Sequence, residues 1–149
     1  PEQSQQNRAH LTSLGAELGI TFAFDDNSRI VNTFAAHQLL GWAQPKGLQH
    51  PLKMALFEAH FSGGQDVSDV EVLVETASAV GLDRAEAQEV LSSGSHAEET
   101  RAHQQFWTSR GVSGVPSMIF AGKYLLTGAQ GADTYAQMLQ KVLTEKDAA

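Results

Sequence analysis

The sequence predicts an α/β chain, mostly α by content, that closes in a β-hairpin and a terminal helix. Three observations carry this. Apolar residues recur at helical spacing from Gln3 to about Arg110. The stretch Val115–Leu126 is apolar without that spacing and is interrupted by a Gly-containing turn. A last amphipathic segment follows, with Tyr135, Met138, Leu139 and Val142 at i, i+3, i+4 and i+7.

Taken in order, Gln3–Leu18 reads as a first helix, with Leu11, Leu14 and Leu18 as its apolar stripe and Gly19 as its stop. Thr21–Phe24 alternates weakly and suits a short extended piece. A second helix is expected over Val31–Trp42, with Asn32 as cap and Phe34, Leu39, Leu40 and Trp42 inward. Pro51 suits the first turn of a third, in which Leu52, Ala55, Leu56 and Ala59 form a stripe that Phe57 and Phe61 widen. So broad an apolar face implies burial on more than one side. Ser68–Glu71, Asp83–Glu86 and Ser95–Glu98 share capping-box spacing and predict three further helix starts, the last running to about Arg110. The final helix is expected over Ala132–Leu143, with a polar tail after it.

Val115, Met118, Ile119 and Phe120 read as a strand covered on both faces. Tyr124–Leu126 is its one clear partner, and a lone two-stranded hairpin is marginal in water. The strand deficit therefore predicts further strands, from outside these residues, from another subunit or from Thr21–Phe24, and with it self-association of the chain. By composition, residues 1–30 lead as helix and connector into a helical region, 31–110, and residues 111–149 form a strand-strand-helix end.

Composition excludes several functions. A net charge of −7 with scattered Lys and Arg argues against a nucleic-acid partner, which needs clustered cations. No apolar run approaches the roughly 20 residues of a membrane helix, so no membrane partner is expected. Cysteine is absent from the 149 residues, which removes disulfides, cysteine zinc sites and any thiol nucleophile within them. The six histidines include no His-x-x-x-His pair, so no metal site is expected. His10, His50, His96 and His103 read as surface side chains. Trp42, Trp107 and the phenylalanines read as core.

Several stretches together resemble one family. They are Ser4-Gln-Gln-Asn-Arg-Ala9, Asn32-Thr-Phe-Ala-Ala-His37, Ala55-Leu-Phe-Glu-Ala-His-Phe61, Asp66-Val-Ser-Asp-Val-Glu-Val-Leu73, and Gly114-Val-Pro-Ser-Met-Ile-Phe120 with Thr127-Gly-Ala-Gln130. In order and spacing the chain resembles the DsbA-like thioredoxin-fold proteins, in particular the FrnE-type oxidoreductases. These are related to 2-hydroxychromene-2-carboxylate isomerases and kappa-class glutathione transferases. The resemblance implies a bacterial protein with a thioredoxin-like fold, incomplete here, carrying a large all-helical insertion. The family's strand-helix-strand segment with its redox motif has no counterpart in the chain.

The implied function is protein thiol–disulfide exchange, with the catalytic cysteine segment absent. The alternatives are a glutathione-dependent isomerase or transferase of the 2-hydroxychromene-2-carboxylate isomerase type, and a non-catalytic binding remnant of the same fold. No catalytic residue is expected in the chain. Substrate contacts are expected at Gly114, Val115 and Pro116, and at Asn32 and His37, for which capping and packing roles stand beside the contact role. On the residues alone Pro116 could begin a strand in trans; the resemblance implies a cis bond that frees the backbone of Val115. The implied partner is a thiol- or disulfide-containing protein or peptide. Glutathione is the one small-molecule ligand that the resemblance allows, no other cofactor is expected, and the implied location is cytoplasmic.

Overall fold

A computed structural model describes residues 2–25 and 28–147. The elements are α1 (Glu2–Glu17), α2 (Phe34–Ala43), α3 (Gln49–Phe57), a π-helical turn (Glu58–Ser62), α4 (Val70–Ala79), α5 (Arg84–Ser93), α6 (Ala97–Thr108), β1 (Ser117–Phe120), β2 (Tyr124–Thr127) and α7 (Ala132–Asp147). They divide into two compact units, Pro1–Arg101 and Ala102–Ala149.

The first unit has a core. Leu39 of α2, Leu52 of α3, and Leu73 and Val74 of α4 are wholly buried, and Trp42, Leu56, Ala77, Ala87 and Val90 close around them. Each comes from the apolar stripe of its helix, which is why α2 to α5 pack together. The starts of α4 and α5 are fixed by aspartates. Asp69 Oδ1 accepts from the Glu71 N–H at 2.7 Å, and Asp83 Oδ1 from the Glu86 N–H at 2.8 Å. The Glu71 and Glu86 side chains pair instead with Arg84 and Lys46.

Several expectations are corrected here. The cap of α4 is Asp69, not Ser68, whose hydroxyl and N–H are taken by Asp66 Oδ1 at 2.6 and 2.8 Å. Ser95 does not cap α6, because its hydroxyl bonds the ring of His96. Thr21–Phe24 forms no strand. Instead Phe22 stacks on Phe24 with ring centres 5.1 Å apart, and its ring lies over Gly15, where a Cβ would come within 2.6 Å of it. Leu11 and Leu14 lie exposed along α1 and Leu18 exposed just after it, and Phe57 and Trp107 are about half exposed rather than core. A stripe is an opportunity for packing, and it is buried only where another element arrives to cover it.

The second unit is a hairpin with a helix on it. β1 and β2 pair antiparallel, Ser117 opposite Thr127 and Phe120 opposite Tyr124. Three residues, Ala121, Gly122 and Lys123, connect the strands, with Ala121 at φ 51° and Gly122 at φ 68°, both left-handed. The Lys123 N–H closes it on the Phe120 carbonyl at 3.0 Å. α7 lies against β1, with Tyr135 6.5 Å from Phe120 between ring centres. The Tyr124 hydroxyl donates to Glu145, and Lys141 Nζ sits 4.3 Å over the Tyr124 ring. The helix runs on to Asp147, beyond the expected end at Leu143. No described residue of this unit is buried.

Candidate functional site

Two places concentrate groups that could meet a ligand, one in each unit. In the first unit a cavity of about 590 Å³ lies among α1, the segment before α2, α2, α3 and the π-helical turn. Its position follows from local structure. Arg8 of α1 donates to the carbonyls of Asp25 and Ser28 at 3.0 and 2.6 Å, which ties the connecting segment back to the helix. The Ala23 N–H donates to the Phe61 carbonyl at 2.7 Å and holds the same segment to the π-helical turn. That turn carries an i to i+5 bond, Gly63 N–H to the Glu58 carbonyl at 2.8 Å.

The wall is aromatic on one side. Phe24, Phe57 and Phe61 line it, with Phe61 6.0 Å from Phe57 and 6.4 Å from Phe24 between ring centres. His60 also lines it and lies 4.8 Å from the Phe61 ring. The His60 Nδ1 is 3.1 Å from the Gln65 carbonyl. A carbonyl only accepts, so Nδ1 carries the proton and the lone pair of the neutral ring resides on Nε2. Asp66 is held ionised below the usual carboxylate range, first by the Ser68 hydroxyl and then by the Ser68 N–H.

Of the residues expected to contact substrate, His37 lines this cavity. Asn32 does not. Its Oδ1 accepts from the Phe34 N–H at 2.9 Å and so fixes the entry into α2. Gly114, Val115 and Pro116 are contiguous in the loop before β1 of the second unit. The peptide bond between Val115 and Pro116 is cis. The Ser117 hydroxyl donates to the Gly114 carbonyl at 2.6 Å, and the Gly128 N–H donates to the Pro116 carbonyl at 2.7 Å. Val115 lies between these two anchors, 88% exposed. Its N–H and C=O make no hydrogen bond to any described residue.

Sequence reasoning missed the cavity wall. Phe57 and Phe61 read as core because their helical spacing matched the stripe of α3. The only signal against that reading was Gly63-Gly64 directly after them, which permits a distorted helix end. Lys53 and Arg29, also on the wall, carried no signal at all.

The sequence profile of the DSBA-like thioredoxin domain matches residues 1–140. The crystal structure of a probable DsbA oxidoreductase from Streptomyces coelicolor is similar, at 31% identity and a TM-score of 0.86, over 97% of this chain and 62% of that one. The chain thus spans less than two thirds of that relative. A Nitrosomonas europaea structure, provisionally classed as a protein disulfide isomerase, shares the fold at 23% identity and a TM-score of 0.75, over 97% of this chain and 76% of that one. The uncharacterized protein YwbO of Bacillus subtilis (strain 168) is 23% identical over 140 residues, which are 93% of this chain and 70% of that protein.

Proposed function

The chain belongs to the DSBA-like thioredoxin domain family and has its thioredoxin-like fold, and from that premise we propose that it serves thiol–disulfide exchange on proteins or peptides, within the FrnE-type branch. Its part is to hold the peptide. Cysteine is absent from these 149 residues, so the thiolate comes from outside them. In that reaction a thiolate attacks one sulfur of a disulfide. The S–S bond breaks, the other sulfur leaves as thiolate, and a mixed disulfide remains until a second thiol resolves it.

One observation carries the reading. Val115 is an exposed residue whose N–H and C=O have no hydrogen-bond partner among the described residues, on a loop pinned on both sides by hydrogen bonds. Such backbone can pair with an extended peptide as a short added strand, which fixes the peptide without reading its side chains. Glutathione, a cysteine-containing tripeptide, is the smallest ligand that this pairing suits. The lack of any thiol also favours a purely binding role for the chain taken alone.

The test is a nuclear magnetic resonance titration of the isotope-labelled chain with an oxidised cysteine-containing peptide. Shift changes centred on Gly114, Val115 and Ser117 are expected. Changes confined to other residues, or none at all, would overturn the reading. Insulin reduction with dithiothreitol supplies the second check. Turnover by this chain above the uncatalysed rate would contradict an external thiolate.

A further inference from the structure

The cavity of the first unit has features that folding alone does not account for. Phe57 keeps half of its surface exposed while lining it. Uncovered aromatic surface is costly in water, and a concave aromatic wall of this size falls in the range of small-molecule sites. The wall is also shaped by a π-helical turn, a rare distortion that is frequent at functional sites. His60 and Phe61, both within this turn, line the wall beside Phe57.

Among the described residues the wall is richer in cations than the chain as a whole. Overall there are 17 acidic and 10 basic residues. Among the described residues of the wall are three cations, Arg8, Arg29 and Lys53, and two carboxylates, Asp25 and Asp66. Both carboxylates already accept hydrogen bonds, Asp25 from Ser28 and Asp66 from Ser68. Arg8 is occupied by two carbonyls. Arg29 and Lys53 make no ion pair with any described residue, whereas Lys46, Arg84 and Lys123 all do. Lys53 and Phe57 are one turn apart on α3, so a cation and a ring stand on the same helical face.

We propose that this cavity binds a small organic anion with a flat apolar body. The body lies against Phe24, Phe57 and Phe61, and the anionic group is turned to Lys53 and Arg29. The proposal does not rest on the thiol–disulfide reading, since it uses no residue of the Val115 loop, and either can fail alone.

Calorimetry with a matched pair of probes tests it: naphthalene-2-sulfonate, which is anionic, and naphthalene-2-sulfonamide, which has the same shape and no charge near neutral pH. The sulfonate is expected to bind at one site per chain, about fivefold tighter than the sulfonamide at low salt. Replacing Lys53→Gln together with Arg29→Gln should erase that preference and leave the sulfonamide unchanged. Phe57→Ala should weaken both probes about tenfold. Both cation positions are solvent-exposed, and circular dichroism verifies that each variant folds. Phe106→Ala, at an exposed ring of the second unit, should change neither affinity. No saturable binding, equal affinity of the two probes, or loss of binding in Phe106→Ala would each overturn the proposal.

Discussion

The two units differ in how much of their apolar surface is covered. In Pro1–Arg101, four helices bury a contiguous cluster from Ala36 to Val90. In Ala102–Ala149, the hairpin and its helix are well formed by hydrogen bonds, yet no described residue is buried, and Val115, Met118, Ile119, Leu139 and Leu143 are all substantially exposed. Regular backbone pairing and stability are thus separate matters. Hydrogen bonds give each strand its register, but their net contribution is small because water competes for the same groups. Apolar burial contributes more, and among the described residues only the first unit has side chains buried in a core.

The second unit should therefore seek cover. Light scattering is expected to return a mass above that of one chain, because a two-stranded sheet with open edges is marginal alone. A clean monomer with full near-ultraviolet circular dichroism would break that expectation. Next in size are paired truncations. Leu73→Ala, at a wholly buried site, should cost about 3 kcal/mol in denaturant unfolding. Ile119→Ala, at a strand residue 45% exposed, should cost less than about 1 kcal/mol. Equal costs would mean that the hairpin is packed as tightly as the helical core.

Gly15 sharpens the picture within the first unit. A Cβ there would approach the Phe22 ring to 2.6 Å and the Ile20 carbonyl oxygen to 2.8 Å. The ring can shift but the backbone cannot shift freely, so Gly15→Ala should destabilise by about 1–3 kcal/mol. Unchanged stability would mean that α1 and the segment after it are not held together. Smaller again are the caps. Asp83→Ala should cost about 1 kcal/mol, whereas Ser68→Ala, at a residue that does not cap its helix, should stay within about 0.5 kcal/mol.

The smallest effects separate the units by pH. Asp66, in the first, is held below the ordinary carboxylate range by Ser68. Its contribution to stability is present above the unfolded carboxylate pKa and is lost as pH falls through the folded one. Tyr124, in the second, is raised above the ordinary phenol value by its hydrogen bond to Glu145, with smaller contributions from desolvation and from the Glu145 charge. Its contribution is present below the unfolded tyrosine pKa and is lost as pH rises through the folded one. Ultraviolet titration of the phenols should therefore show a late transition that moves earlier in Glu145→Gln. Denaturant midpoints against acid pH should change shape in Ser68→Ala. A phenol titration unchanged by Glu145→Gln would remove the interaction from consideration.

Most helix positions, the two hairpin strands and the Gly-containing turn between them were legible in the sequence, because each is decided by contacts a few residues apart. Leu39, Leu52 and Leu73 were also visible as stripe residues, since a periodic apolar face predicts burial when another helix is near. The misreadings have one cause. Ser68, Ser95, Leu14, Phe57 and Trp107 all carry the right pattern for a cap or a core position. Ser68 was diverted by Asp66 and Ser95 by His96, while the three apolar residues were left uncovered. The cavity was illegible for the same reason. Its wall joins Arg8, Phe24, Arg29, Lys53 and Phe61 from separate segments, and no local pattern records which of them will meet. By itself the sequence determined the elements and the lack of any thiol. Tertiary structure alone decided which apolar faces became core and which became the wall of a site, because burial depends on what the rest of the chain brings to that face.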